Sequence, residues 1–244
     1  MSSNRTIRKI ALVSLVHGDE TLGLDIMRSI KNKKFDGILL DCLIANGRAH
    51  ELGRRFVDSD LNRSFGTEQD TFESGLAKDL KARLKGYDMV IDLHDTPAMT
   101  DPFLILTRFN SEMLSQLEYF PIKKVVIMSD CVASGKALID NCNGVSIELD
   151  RNNPKSIELC RNALCSFLKK SVPRSQKEFY LVFDKLGFGT ATKPLRNFEE
   201  TATNVDGRLI KFYPVLFGET DYDFKCLMAT KVPKSTLINK FLRI

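Results

Sequence analysis

Short apolar runs alternate with amphipathic segments over the first two thirds of the chain. The apolar runs have the length of buried β-strands and predict strands at residues 7–16, 37–45, 87–94, 103–107, 125–128 and 144–149. Between them, apolar positions recur at the helical period, which predicts helices at residues 21–31, 72–84 and 154–168. Strands that alternate with helices are typical of an α/β fold, in which helices flank a mostly parallel central sheet.

Two parts of the chain depart from this alternation. Residues 46–67 have no hydrophobic period and predict a long polar loop, which is uncommon inside a compact domain unless it has a function. After residue 173 the helical patterns end, and strand-like runs follow at residues 178–184, 208–217 and 224–231. We therefore expect two domains, an α/β domain over residues 1–173 and a small β-rich C-terminal domain over residues 174–244.

Composition and charge narrow the class of protein. The chain has 244 residues, of which 43% are hydrophobic and 27% charged, as in ordinary soluble globular proteins. The net charge of +5 comes from scattered residues, and no apolar run is long enough to span a membrane, so we predict neither a nucleic-acid partner nor a membrane. The six cysteines contain no C-x-x-C pair and the N-terminal segment has no signal-peptide cleavage site, which predicts reduced thiols in a cytoplasmic protein.

Three candidate metal ligands stand where predicted strands end. His17 and Glu20 follow the first strand, and His94 closes the strand at residues 87–94. Ligands bind at the carboxyl ends of strands in open α/β sheets, and two histidines with one glutamate form a zinc site that keeps one position open. The alternative is structural: His17 and Glu20 would belong to a surface turn, and His94 would be a core histidine that bonds a neighbouring aspartate.

The polar loop and the last apolar run supply further candidates. Arg55, Asn62 and Arg63 lie in the loop, and an arginine can bind a carboxylate or stabilise the oxyanion that forms when an amide is attacked. The alternative is a solvated loop whose acidic residues only balance the arginines. Glu148 interrupts the apolar run at residues 144–149, where a buried carboxylate is costly unless it is paired or functional; alternatively it faces solvent on an edge strand. We expect the third histidine, His50, to be structural or exposed to solvent.

Four sequence blocks resemble, in order, those of the aspartoacylase / succinylglutamate desuccinylase family, zinc-dependent relatives of the metallocarboxypeptidases. The chain has HGDE at 17–20, RFVDSDLNR at 55–63, DLH at 92–94 and GVSIE at 144–148, against that family's HGNE, RY-x-D-x-DLNR, DLH and G-x-x-x-E blocks. YPV at 213–215 and GETDY at 218–222 are similar to its C-terminal segment. The resemblance covers most of the chain, and the D-x-DLNR block is specific.

The resemblance implies a zinc-dependent amidohydrolase that removes the acyl group from a small N-acyl amino acid. One zinc ion per chain would be bound in the domain over residues 1–173, and the domain over 174–244 would close the site. The metal ligands of the family correspond to His17, Glu20 and His94. Its general base corresponds to Glu148 and its oxyanion-binding arginine to Arg55. Its substrate-binding residues correspond to Asn62, Arg63, Glu219 and Tyr222.

Several positions depart from the family's pattern. Asp19 stands in place of an asparagine, and Cys226 in place of a lysine. In the region where aspartoacylases that bind a dicarboxylic amino acid have a further arginine, the chain has Leu138, with Lys136 the nearest cation, so we do not predict N-acetylaspartate as the substrate. The alternatives are a zinc carboxypeptidase that acts on peptide C-termini and a metal-binding protein without turnover. A homo-oligomer is left open.

Overall fold

The computed structural model describes residues 8–128, 135–171, 174–190 and 192–241. Its strands are β1 (Arg8–Ser14), β2 (Ile38–Ile44), β3 (Met89–Thr96), β4 (Phe103–Leu106), β5 (Lys124–Ile127), β6 (Gly144–Asp150), β7 (Glu178–Leu186), β8 (Thr201–Val205), β9 (Arg208–Val215) and β10 (Cys226–Val232). Its α-helices are α1 (Leu22–Ile30), α2 (Gly47–Glu51), α3 (Phe72–Leu84), α4 (Ser111–Leu117), α5 (Ser156–Lys169) and α6 (Lys234–Phe241). Three predictions include a residue outside the described ones. These residues are Ile7 in the first strand, Cys131 among the reduced thiols and Pro173 at the domain boundary.

The described strands form one open sheet in the order β2-β1-β3-β6-β4-β5-β7-β10-β9-β8. The pairs β1·β2, β1·β3, β3·β6, β4·β5 and β5·β7 are parallel. The pair β4·β6 and the pairs beyond β7 are antiparallel. The predicted mostly parallel central sheet with flanking helices is confirmed. The strands after residue 173 continue this sheet through the β5·β7 pair, and the division into two domains stays a prediction.

The central strands have two buried faces, because successive residues of a strand point to opposite sides of the sheet. On one face Ile91 of β3 and Ile147 of β6 belong to a core cluster with residues of α1, α4 and α5. On the other face Val90 packs in a second cluster with Leu80 and Leu84 of α3. Asp92 and His94 of β3 and Ser146 and Glu148 of β6 alternate with the first set and therefore face the α3 side of the sheet. The candidate site lies on that side.

Four observed elements have no counterpart among the predicted ones: α2, α4, α6 and β8. Helices α2 and α4 have only five and seven residues, too few to show a helical period. Asn46 and Asn110 begin them by accepting hydrogen bonds from the backbone N–H of Ala49 and Met113. The prediction of an unbroken polar loop over residues 46–67 is therefore wrong, since α2 and a 3-10 turn at Leu61–Arg63 lie within it.

The predictions about the cysteines and about membrane-spanning segments can be compared with the described residues. Cys42, Cys142, Cys160, Cys165 and Cys226 are all free thiols, as predicted. No described helix combines the length and the hydrophobicity that crossing a bilayer requires.

Candidate active site

The turn after β1 brings His17 and Arg55 together. A Cβ atom on Gly18 would lie 2.4 Å from the backbone nitrogen of His50 and 2.5 Å from the carbonyl oxygen of Arg54, so only glycine fits where this turn meets α2. The backbone N–H of Gly18 donates to the carbonyl of Arg55 (2.8 Å), and the His50 ring Nδ1 donates to the carbonyl of Gly18 (2.9 Å). His50 is thus structural, as expected, and it helps to hold His17 beside the loop arginine.

The register of two parallel strands places the second histidine next to Glu148. Residue 94 of β3 lies opposite residue 148 of β6, and Asp92 lies opposite Ser146. Because these side chains share one face of neighbouring strands, His94 and Glu148 project into the same space on the α3 side. Strand β6 is central, between β3 and β4, and Glu148 is 8% exposed. The alternative of a solvent-facing edge strand is therefore wrong.

His17, Glu20 and His94 converge on one point, with one ligand atom from each lying within 4.8 Å of the others. The Glu20 carboxylate joins them: Oε1 lies 2.6 Å from Nδ1 of His17, and Oε2 lies 2.8 Å from Nδ1 of His94. All three residues are buried, so the surface-turn alternative is wrong for His17 and Glu20. Burial opposes the ionisation of Glu20, but the two imidazoles hold its pKa well below its usual range.

The other nitrogen of each imidazole bonds a second carboxylate. Nε2 of His17 lies 3.1 Å from Oδ1 of Asp60, and Nε2 of His94 lies 2.7 Å from Oδ2 of Asp92. Histidines that bind a metal typically donate their second ring N–H to a carboxylate, which fixes the tautomer and the ring orientation. The Asp92 contact is the one expected of a structural core histidine, yet it leaves Nδ1 of His94 directed at Glu20. Two imidazole nitrogens and one carboxylate, each supported in this way, suit a divalent metal such as zinc.

Arg55 lies at the edge of this cluster. Its guanidinium donates to Glu20 (2.9 Å) and to Asp221 (2.8 Å), which belongs to the loop between β9 and β10. Burial works against its charge, but the surrounding carboxylates raise the pKa of Arg55 above its usual value. Arg55 is therefore a permanent positive charge beside the candidate ligands, and the alternative of a merely solvated loop does not hold for it.

Glu148 and Tyr222 line the cavity on either side of the cluster. Burial raises the pKa of Glu148 to about 8, with nearby carboxylates acting in the same direction and His94 against it. Burial also raises the pKa of Tyr222, so its hydroxyl stays protonated. The Tyr222 ring is stacked on Phe224, with ring centroids 4.6 Å apart. The site thus holds a carboxyl group whose affinity for a proton is raised towards neutral pH.

The loop residues Asp60, Asn62 and Arg63 form a 3-10 turn against the wall of the cavity. Asp60 begins the turn by accepting a hydrogen bond from the backbone N–H of Asn62 (2.7 Å). The Asn62 side-chain oxygen accepts from the backbone N–H of Leu138 (2.9 Å), and the Arg63 guanidinium donates to the Asn62 carbonyl (2.8 Å). Burial opposes the ionisation of Asp60, but its contact with His17 and the nearby arginines lowers its pKa to about 2. The turn therefore presents a fixed amide and guanidinium to the cavity.

Glu73, in the first turn of α3, holds this loop in place. It is fully buried, and its carboxylate accepts hydrogen bonds from three consecutive backbone N–H groups, those of Val57 (2.6 Å), Asp58 (3.0 Å) and Ser59 (3.0 Å). A fourth comes from the side-chain amide of Asn46 (2.9 Å). Glu73 does not touch the cavity, so it is a positioning residue for the segment that carries Asp60 to Arg63.

The loop between β9 and β10 covers the cavity from the other side. Leu216, Glu219 and Tyr222 line it, and the Glu219 carboxylate accepts from the Thr96 hydroxyl (2.6 Å) and from the backbone N–H of Thr220 (2.8 Å). Residues from the C-terminal segment thus reach the ends of β3 and β6.

The structure brings all nine predicted site residues to one cavity with about 660 Å³ of space, part of it open to solvent. They are His17, Glu20, Arg55, Asn62, Arg63, His94, Glu148, Glu219 and Tyr222. Their individual roles stay predictions. Sequence reasoning gave Asp60, Asp92, Glu73 and Asp221 no functional role; it considered Asp92 only as the partner of a structural His94, and Asp60 only as a charge that balances the arginines. Of these, Asp60 and Asp92 stand inside the blocks that carry the resemblance, which was a usable signal, whereas Glu73 and Asp221 carry no signal of their own.

Comparisons with known proteins agree with the geometry. The profile of the family described as "Succinylglutamate desuccinylase/Aspartoacylase catalytic domain" matches residues 6–131, more than half of the chain. The probable aspartoacylase of Trichodesmium erythraeum is 31% identical over 124 residues, which cover 43% of this chain and 41% of that protein. The N-acyl-aromatic-L-amino acid amidohydrolase (carboxylate-forming) of Xenopus tropicalis is 26% identical over 172 residues, covering 63% of this chain and 54% of that protein. The chain spans about half the length of the curated relatives it matches.

Solved structures share the fold over nearly the whole chain. Murine aminoacylase 3 superposes with a TM-score of 0.73 at 20% identity, covering 94% of this chain and 97% of that one. The succinylglutamate desuccinylase of Chromobacterium violaceum superposes with a TM-score of 0.66 at 16% identity, covering 94% and 87%. The sheet that positions the cavity is thus an established fold.

Proposed function

We propose, from the premise that this chain belongs to the succinylglutamate desuccinylase/aspartoacylase family, that it is a zinc-dependent amidohydrolase. Its reaction would be the hydrolysis of the amide bond of a small N-acyl amino acid. The observation that carries the proposal is the convergence of His17, Glu20 and His94 within 4.8 Å in the cavity that Glu148 and Arg63 also line. One cavity then holds a metal-ligand set, a base and a cation for a carboxylate.

An amide is a poor electrophile, so the reaction needs a strong nucleophile at neutral pH. Zinc, when bound, would supply it by lowering the pKa of water to about 7. His17, Glu20 and His94 would hold the ion. Asp60 and Asp92 would keep both imidazoles in the tautomer that leaves Nδ1 free to bind, since each accepts from the opposite ring nitrogen.

Glu148 would move the proton. A general base works best when its pKa lies near the pH at which the enzyme operates, and burial brings the pKa of Glu148 to about 8. The positive charge of a bound metal would lower this value again and keep the group ionised at the start of the reaction. Its carboxylate would take a proton from the attacking water and deliver it to the nitrogen of the leaving amine.

Arg55 and Arg63 would each stabilise a negative charge of the bound substrate. Arg55, beside Glu20, would stabilise the oxyanion that forms on the acyl carbon. Arg63 and the Asn62 side chain would bind the carboxylate of the amino-acid half, for which a planar guanidinium fork is well suited. Tyr222 and Glu219, from the loop between β9 and β10, would exclude water from the space between Arg55 and Arg63.

Metal analysis and a substrate panel test the proposal. The purified chain should carry about one equivalent of zinc, and the His94→Ala variant should lose it. Glu148→Gln should keep the zinc and reduce kcat roughly 10²- to 10⁴-fold. Faster hydrolysis of short peptides than of N-acyl amino acids would favour a carboxypeptidase instead. Zinc retained in His94→Ala, or no hydrolysis of any acyl amino acid by the zinc-loaded chain, would contradict the proposal.

A further inference from the structure

The cavity extends beyond the metal-ligand cluster over an apolar surface. Ile105, Thr107, Met128, Ala137, Ile139 and Leu216 line this part, and all of them except Thr107 are apolar. The cluster lies over β1 and β3, whereas Ile105 belongs to β4 and Met128 directly follows β5, on the far side of β6. The cavity therefore has a polar end over β1 and β3 and an apolar end over β4 and β5.

The residues placed to bind a substrate carboxylate adjoin this apolar end. The Asn62 side chain accepts a hydrogen bond from the backbone of Leu138 (2.9 Å), and the two neighbours of Leu138, Ala137 and Ile139, line the cavity. The carboxylate and the side chain of an amino acid leave the same carbon atom. An amino acid held at Asn62 and Arg63, with its amide directed at His94, must therefore direct its side chain towards the apolar wall.

No free cation is available there for a second carboxylate among the described residues. The lysines and arginines that line the cavity are Arg55 and Arg63 alone. Arg55 already bonds Glu20 and Asp221, and Arg63 is taken by the first carboxylate. Lys136, the lysine nearest to this wall in the sequence, is exposed and does not line the cavity. An acidic side chain would lose its water without gaining a partner, which is costly, whereas an apolar one gains by burial.

We propose that the apolar end of the cavity binds an uncharged, apolar amino-acid side chain. The substrate class is then the N-acyl derivatives of amino acids such as leucine and methionine, in preference to those of aspartate and glutamate. This inference rests on the proposed function, which it makes more specific.

The first test compares substrates that differ only in the side chain. The zinc-loaded chain should hydrolyse N-acetyl-L-leucine with a kcat/KM roughly 10- to 200-fold above that for N-acetyl-L-aspartate, the range that apolar side-chain contacts give. N-acetyl-L-asparagine, a neutral analogue of aspartate, separates charge from shape and should fall between them. An equal or higher kcat/KM for N-acetyl-L-aspartate overturns the inference. So does a larger gain from lengthening the acyl chain of an acyl-leucine than from changing the side chain, because the apolar end would then bind the acyl group.

A variant tests the location of the subsite. Thr107 lies on the same face of the sheet as Ile105 and lines the cavity, and its buried hydroxyl oxygen has no hydrogen-bond partner among the described residues, so Thr107→Lys adds a cation there without breaking a hydrogen bond. The preference for N-acetyl-L-leucine over N-acetyl-L-aspartate should fall about tenfold or more in this variant. Leu209→Lys, at a position 68% exposed on β9, is the matched control and should keep the preference. An unchanged preference in both variants overturns the assignment of this wall to the side chain.

A binding measurement separates this inference from the proposed function. If no acyl amino acid is hydrolysed, the proposed function fails, but the zinc-loaded chain can still be titrated with free L-leucine and free L-aspartate by calorimetry. Tighter binding of leucine supports the apolar subsite independently of catalysis. Equal or tighter binding of aspartate, or binding of neither, overturns it.

Discussion

Replacing Glu73 by glutamine removes the charge that holds the site loop against α3. The carboxylate accepts two hydrogen bonds on each oxygen: Oε1 from Asn46 and Val57, and Oε2 from the backbone N–H groups of Asp58 and Ser59. A glutamine side chain has one oxygen and one NH₂ group. Whichever way it is placed, its NH₂ group therefore faces two of the four donors, and those two lose their acceptor.

The expected cost follows from these two donors. A buried donor without a partner costs about 1–3 kcal/mol, so Glu73→Gln should lower the free energy of unfolding by about 2–6 kcal/mol near pH 7. Urea denaturation measures this value. Glu158→Gln is the matched control, because Glu158 also lies in the first turn of a helix, α5, but is exposed. Its loss should stay within about 0.5 kcal/mol.

The effect of Glu73→Gln should also depend on pH. Burial opposes the ionisation of Glu73, but the four donors lower its pKa below the usual value, so ionised Glu73 stabilises the folded state. This stabilisation is complete above the unfolded pKa, about 4.3, and is lost as the pH falls through the lower folded value. The difference between wild type and variant should therefore shrink in acid. If Glu73→Gln is no more destabilising than Glu158→Gln at pH 7, the loop does not depend on this carboxylate.

Three further predictions concern the cavity itself. Gly18→Ala should lower the free energy of unfolding by about 1–3 kcal/mol or more, measured by urea denaturation, because its Cβ would lie 2.4 Å from the His50 backbone nitrogen. Asp92→Asn should weaken zinc binding about 10- to 100-fold in competition with a chelator, because it no longer orients His94 as a carboxylate does. Arg55→Lys should reduce kcat roughly 10²- to 10³-fold with zinc content unchanged, since lysine lacks the fork that reaches an oxyanion from this position. An unchanged free energy of unfolding in Gly18→Ala, an unchanged zinc affinity in Asp92→Asn or an unchanged kcat in Arg55→Lys would contradict the role given to that residue.

The strands around the cavity could be predicted because their signal is local. Runs of apolar residues bounded by polar ones place β1, β3 and β6 to within two residues, and α3 is predicted at its observed bounds. Short elements could not be predicted in this way. Helix α2 is held by Asn46 and by the packing of Gly18 against it, and neither contact produces a periodic pattern. Strand β8 (TATNV) has no regular alternation of apolar and polar residues and lies at an edge of the sheet, where burial is weak.

The candidate ligands could be located from the sequence, but their supporting contacts could not. Strand ends and block order predict that His17 and His94 meet, because parallel strands end at the same edge of the sheet. Three of the four donors to Glu73 are backbone N–H groups, which every residue except proline has, so the sequence does not indicate them. Asp221 reaches Arg55 across 166 positions of the chain, and only the pairing of β10 between β7 and β9 brings that loop to the cavity.

Polar residues at every second position of the central strands β3 and β6 indicate the site even without the sequence blocks. Strands β3 and β6 are fully buried, and on the face towards α1 and α5 they carry apolar residues except for Asp95, which accepts a hydrogen bond from the backbone N–H of Leu22 at the start of α1. On the other face Asp92 and His94 lie beside Ser146 and Glu148, where a strand that served only stability would carry apolar residues. Burying these groups is costly even where they pair, as His94 does with Asp92, so their presence at matched positions of adjacent strands favours a functional site there. The same reasoning separates the polar end of the cavity from the end over β4, where Ile105 faces Ser146 and the polar alternation stops. In the proposed reaction, this change from polar to apolar lining would separate the reacting amide from the side chain of the substrate.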